Sequence, residues 1–258
     1  MNKVISTDGT PIAYDRTGEG PAVILIGGGP TDRSVNAPVA DLLADGFTVY
    51  NYDRRGRGES GDTEPYAVER ELEDLQALIT EAGGSAMVYG TSGGGLLAIH
   101  AAAHGLAISK LALWEVPYIL PGTRPAVPAD YRDQQFALRE QGRYGDMLEL
   151  FFLEAVLMPE EFVAGMKASP FWEGMGATAP ALAYDAELAG DFSLPTEQLA
   201  ALTVPAIVID GATIPWISAA AEAIATALPN PRRRTLTGQP HNVDPAAIAP
   251  VLAEFFAA

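Results

Sequence analysis

The 258-residue chain contains no cysteine, which excludes disulfides, thiolate metal ligands and cysteine nucleophiles together. Histidine is scarce as well: only His100, His104 and His241 are present, with no neighbouring carboxylate cluster, which argues against a dedicated metal site. Basic residues number 16 against 33 acidic ones, a formal net charge of -17. That balance opposes phosphate backbones and anionic lipid surfaces, so neither nucleic acid nor a membrane is an expected partner. No uncharged run approaches membrane-spanning length, and the opening "MNKVISTDGTPIAYD" lacks the apolar core of a signal peptide. Together with the absence of cysteine, this makes a cytoplasmic location the expectation. Internal repeats and low-complexity tracts are also lacking.

What is present is a globular composition, 48% apolar and 19% charged, in a chain whose length suits one α/β domain carrying an insertion. The short basic stretches "DRRGRG" (53–58) and "RRR" (232–234) are expected to be solvated or locally paired. Apolar runs of strand length alternate with helical patterns along the first 115 residues. "KVIS" and "PIAYDR" flank the turn signal "TDGT" and read as a hairpin. Buried strands follow at 22–26, 47–52, 86–90 and 111–114, with helices expected at 34–45, 66–82 and 92–104. Residues 117–200 break the alternation: they are rich in Pro, Met and aromatics, with helix-like patches and no strong strand. The pattern resumes with a strand at 205–210, a helix at 216–228, a strand at 232–237 and a closing helix at 245–256. Such alternation argues for a mostly parallel sheet covered on both faces, in a core of residues 1–116 and 201–258, with 117–200 as a helical cap between the sixth and seventh strands.

Between a strand and a helix lies Gly90-Thr91-Ser92-Gly93-Gly94. It fits G-x-S-x-G, a sharp turn that strains the serine backbone and leaves no room for side chains two residues either way. Three further segments, "NYDRRGRGES" (51–60), "ILIGGGP" (24–30) and "GQPHNV" (238–243), come in the order seen in the α/β-hydrolase superfamily. The chain resembles that family over nearly all its length. The resemblance implies an eight-stranded, mostly parallel sheet flanked by helices, Ser92 as nucleophile and His241 as base. A serine hydroxyl needs such a base at neutral pH. His100 and His104 lie eight and twelve residues along the helix from Ser92; at about 1.5 Å per residue they fall well away from it and read as helix-surface or core-edge histidines. Alignment of "GGGP" to the family's H-G-x-P loop nominates Gly29, with Gly28 as the alternative, beside the N–H of Gly93 as donors to an oxyanion.

The acid is less direct. Most family members carry it after the seventh strand, where this chain reads "IDGATIPW", with Ile214 at the usual position and Asp210 one residue before the glycine. Meanwhile "LALWEVPYI" (111–119) ends an apolar run on Glu115, and an unpaired buried carboxylate costs several kcal/mol. Some family members, certain lipases and zearalenone-type lactonases among them, are similar in carrying the acid after strand six. Glu115 is therefore the expected third member with Ser92 and His241. The competing assignment pairs Glu115 with Arg54 or Arg55 and gives the histidine to Asp210.

The implied reaction is hydrolysis of a carboxylic ester or lactone of a small to medium apolar compound through an acyl-enzyme, without a cofactor, by a monomer or homodimer. The resemblance leaves open a cofactor-free haloperoxidase or perhydrolase, a non-hydrolytic lyase or cyclase, and a ligand-binding pseudoenzyme. Tyr118, Phe136, Phe151, Phe152, Met158, Phe171, Trp172 and Met175 are candidate wall residues of an apolar pocket, although packing of the cap is the more ordinary role for each.

Overall fold

The central strands form where the apolar runs lie, while the edge strands are more polar and exposed. A computed structural model describes residues 1–258, the side chain of Phe171 excepted. Its eight strands are β1 (Asn2–Ile5), β2 (Pro11–Thr17), β3 (Ala22–Ile26), β4 (Thr48–Tyr52), β5 (Ala86–Thr91), β6 (Ile108–Trp114), β7 (Ala206–Asp210) and β8 (Pro231–Thr235). They make one sheet in the order β1-β2-β4-β3-β5-β6-β7-β8. β1 pairs antiparallel with β2, and β2 with β4; every other pair is parallel.

Both faces of the sheet are buried, and the twofold alternation of strand side chains decides which residue goes where. Ile24, Ile26, Val88, Leu111 and Leu113 pack toward α2 (Val68–Glu81), α3 (Gly93–Ala103) and α10 (Pro215–Ala227). Their neighbours Val23, Leu25, Tyr89, Ala112 and Trp114 pack toward α1 (Ala37–Leu43) and α11 (Pro245–Ala257). The chain winds outward from β3 in both directions, so the carboxyl ends of β3 and β5 lie side by side where the strand order reverses. Open α/β sheets bind ligands at that point.

One expectation changes in detail. The helix expected over 34–45 is split into a 3-10 turn, Arg33–Asn36, and then α1. Pro38 lacks the N–H that a continuous helix would need there. Of the two expectations for the basic stretch 53–58, solvated or locally paired, the second holds. Arg54, Arg55 and Arg57 are all buried, each matched by carboxylates. Arg54 donates to both oxygens of Glu71, at 2.6 and 2.7 Å, and to Asp185 at 2.8 Å. Arg55 forks onto Asp74 and reaches Asp8 at 3.0 Å, and Arg57 lies 2.8 Å from Asp185 Oδ2. Burial alone would raise the Glu71 carboxyl, yet Arg54 in direct contact holds it below the usual range.

Between β6 and β7 the chain is helical: α4 (Tyr131–Glu140), α5 (Tyr144–Leu150), a π turn (Phe151–Ala155), α6 (Glu160–Lys167), α7 (Pro170–Met175), α8 (Leu182–Ala189) and α9 (Thr196–Ala201). These helices share a small core of their own around Met147, Leu148, Val163 and Leu182. Asp185 on α8, gripped by Arg54 and Arg57, fastens them to the sheet.

Candidate active site

The turn from β5 into α3 puts Ser92 at φ 51 and ψ -122, a sparsely populated conformation that persists only where its surroundings over-determine it. They do so through glycine. A Cβ on Gly90 would lie 2.6 Å from Gly94 O, and one on Gly94 only 2.3 Å from Ile26 O. Ser92 N donates to Trp114 O at 2.9 Å, which ties the turn to the neighbouring strand.

The loop after β3 lies against this turn. A Cβ on Gly28 would meet Thr91 O at 2.6 Å and Gly93 N at 2.8 Å, so Gly28 is glycine for close approach. Gly29 takes φ +50, and its N lies 3.6 Å from where a Cβ on Gly93 would sit. Thr31 Oγ1 donates to Gly28 O at 2.5 Å and fixes the loop's peptide orientation. Among the described residues, neither the Gly29 nor the Gly93 N–H donates to another group. Two backbone donors thus flank Ser92, one of them at a helix N-terminus, where the dipole favours negative charge.

Glu115 follows β6 with φ 45 and is 1% exposed. Its Oε2 lies 2.7 Å from His241 Nδ1, and its Oε1 accepts from Gly211 N at 2.9 Å. These two partners satisfy the acid that closes the apolar run; Arg54 and Arg55 are engaged elsewhere. Gly211 admits no side chain, since a Cβ there would lie 1.9 Å from Gln239 O. The loop after β7 thus supplies a backbone donor to the carboxylate that follows β6.

Asp210 faces other groups. It accepts from Ser218 Oγ at 2.5 Å, Arg233 Nη2 at 2.7 Å, Thr235 Oγ1 at 2.9 Å and Ala212 N at 3.2 Å. Burial pushes its carboxyl upward, but these donors outweigh it and hold the group below the usual aspartate range. Asp210 therefore joins β7 to β8 and α10. His100 and His104 lie along α3, with His104 Nδ1 2.8 Å from His100 O, and burial lowers the His100 imidazole.

Two further residues hold this constellation. Trp114 donates from Nε1 to His241 O at 2.8 Å, and Gly211 holds Glu115. A glycine directly after a buried strand was a visible signal for the second; nothing in the sequence marks the first. Of the candidate wall residues, Tyr118 lies in the core beside α3, while Phe152, Trp172 and Met175 belong to the core of the inserted helices, with Phe136 and Met158 packed against it. The side chain of Phe171 lies outside the described residues. Phe151 packs against that core too, and its ring also comes within 3.6 Å of the position of a Cβ on Gly29. Thr178 Oγ1 donates to Pro30 O at 2.8 Å, so the inserted helices rest on the glycine loop.

The model of the alpha/beta hydrolase family matches residues 23–251, most of the chain. The chain belongs to the alpha/beta hydrolase family. Among solved structures, this family member is similar to an alpha/beta hydrolase from Sphaerobacter thermophilus, at 50% identity and a TM-score of 0.94 over 99% of this chain and 100% of that one. Among curated proteins, it is 33% identical to the uncharacterised hydrolase YraK of Bacillus subtilis over 38% of each chain. It is 41% identical to the pimeloyl-[acyl-carrier protein] methyl ester esterase of Stenotrophomonas maltophilia over 34% of this chain and 33% of that one. The alignment thus spans only about a third of these curated relatives' own length.

Proposed function

We propose that this family member is a serine hydrolase that cleaves a carboxylic ester or lactone of a small to medium apolar compound through an acyl-enzyme. The observation that carries this reading is the 2.7 Å contact between Glu115 Oε2 and His241 Nδ1, with the other carboxylate oxygen occupied by Gly211 N. A glutamate held at both oxygens fixes the imidazole tautomer that carries its proton on Nδ1 and leaves Nε2 free to accept one. Ser92 Oγ then attacks the carbonyl carbon as its proton passes to Nε2, and the carbonyl oxygen takes the negative charge. The N–H groups of Gly93 and Gly29 stabilise that oxyanion. Collapse expels the alcohol, which takes the proton from His241. Water repeats the sequence on the acyl-serine and releases the acid and Ser92. Residues 117–200 act as the substrate-selecting cap, with Phe151 against the oxyanion loop on the acyl side. The ester-cleaving name of the methyl ester esterase among its relatives supports ester substrates, without extending to that relative's carrier-bound acyl group.

The test is intact-mass labelling with a fluorophosphonate, alongside hydrolysis of a short-chain nitrophenyl ester. The expected result is one adduct at Ser92, lost in Ser92→Ala and His241→Ala, with turnover down by about 10³-fold or more in Glu115→Gln and nearly unchanged in Asp210→Asn. Near-normal turnover of Glu115→Gln would remove the glutamate from the mechanism. A wild type that binds esters but neither labels nor hydrolyses would favour a non-hydrolytic or binding role.

A further inference from the structure

Trp114 and Glu115 are consecutive, yet both reach the loop that carries His241. In regular strand geometry they would point to opposite faces of the sheet. Trp114 obeys this and packs on the α11 side, with Ile248 and Leu252. Glu115 leaves it through its φ of 45, which turns its carboxylate to the imidazole. Residue 115 thus holds the ring of His241 and residue 114 holds its main chain, Nε1 to O at 2.8 Å. The carbonyl of Trp114 also accepts from Ser92 N at 2.9 Å. Two adjacent residues fasten the backbone of the proposed nucleophile and both ends of the proposed base.

We infer that Trp114 is a positioning residue, whose indole N–H fixes the His241 backbone so that the ring held by Glu115 has one orientation toward Ser92. The inference rests on the reading of Ser92, His241 and Glu115 given above. Trp114 is 1% exposed, and a buried indole N–H requires an acceptor; phenylalanine or leucine would fill the volume without making this bond. The side chain of His241 is 38% exposed and stands in an irregular loop. A hydrogen bond at Nδ1 alone can be kept from a range of backbone positions, each aiming Nε2 differently. Fixing the carbonyl removes that freedom. A base carried on a loop opposite a displaced acid needs this second attachment, because a misplacement of about 1 Å can cost about 100-fold in rate.

The test compares wild type, Trp114→Phe and a protein carrying benzothienylalanine at position 114, which keeps the bicyclic shape and lacks the N–H. Expected is a fall in kcat on a nitrophenyl acetate of about 10- to 100-fold, with KM within about twofold and fluorophosphonate labelling slowed by the same factor. In a Glu115→Gln background the same replacement should cost less than about threefold, since groups that act as a unit are not additive. If wild type labels and both replacements label and turn over at the wild-type rate, the positioning role is overturned and the triad reading stands. An equal loss in both backgrounds, accompanied by a lowered melting temperature, would also overturn it in favour of packing. Failure of wild type to label overturns the triad reading and this inference with it.

Discussion

Glu115 and Asp210 are both 1% exposed and stand at the ends of adjacent strands, so their partners, not their depth, separate their roles. Asp210 accepts from two hydroxyls, an arginine and a backbone N–H, and its carboxyl is held below the usual range. A carboxyl whose folded value is depressed stabilises the protein above its unfolded value, about 3.9, and that contribution is lost as pH falls through the folded value. Asp210→Asn should therefore melt lower at pH 7, by about 1–3 kcal/mol, or some 2–4 °C for each kcal/mol. The gap to wild type should narrow as pH falls below about 4, while ester turnover at pH 7 stays near normal. Thermal unfolding across that range, paired with a rate at neutral pH, checks both halves. The sequence marked Glu115 because an acid closing an apolar run demands a partner. It favoured Glu115 over Asp210 without showing what Asp210 does instead, since the groups that occupy Asp210, Ser218, Arg233 and Thr235, come from elements that only the folded sheet brings together.

At the scale of elements, the central strands and the helical character of residues 117–200 were readable and the bounds of the individual inserted helices were not, for one physical reason. A strand buried on both faces must be a continuous apolar run, whereas short helices that share a small core of their own carry no long period. The π turn at Phe151–Ala155 shows what was hidden. Its i+5 bond, Val156 N to Phe151 O at 3.0 Å, adds a residue to the turn, and such bulges gather at functional sites. The added residue re-aims the chain just where Phe151 meets the glycine loop. Composition listed Phe151 among eight candidate wall residues; Phe151 packs on the edge of the inserted core and reaches Gly29, whereas Phe152 is a buried member of that core. If Phe151 bounds the acyl side, Phe151→Ala should shift preference from acetyl toward hexanoyl esters. Each methylene newly accommodated is worth about 0.8 kcal/mol, roughly fourfold in kcat/KM. Phe152→Ala should lower the melting temperature and leave the chain-length order unchanged. A nitrophenyl ester series from acetate to octanoate reads both; an unaltered order in Phe151→Ala would move the acyl pocket elsewhere.

Across the whole molecule, the charge of -17 sets the field in which a substrate arrives. That field is not cancelled near the site by the arginines of the β4–α2 loop, because Arg54, Arg55 and Arg57 are each matched by buried or half-buried carboxylates. The short basic stretch of the sequence is a charge-paired brace between the sheet and α8, with no cation to spare for a substrate. An anionic ester should therefore be repelled on approach, a neutral one unaffected and a cationic one favoured. Raising ionic strength from about 0.01 M to about 0.15 M shortens the screening length from about 30 to about 8 Å. For three nitrophenyl esters of matched acyl size, kcat/KM should then rise several-fold for the anion, fall for the cation and hold constant for the neutral compound. Equal salt dependence for all three would mean that the inserted helices shield the site from the surface charge. In that case substrate charge would be selected by contacts under the helices and not by the field outside them.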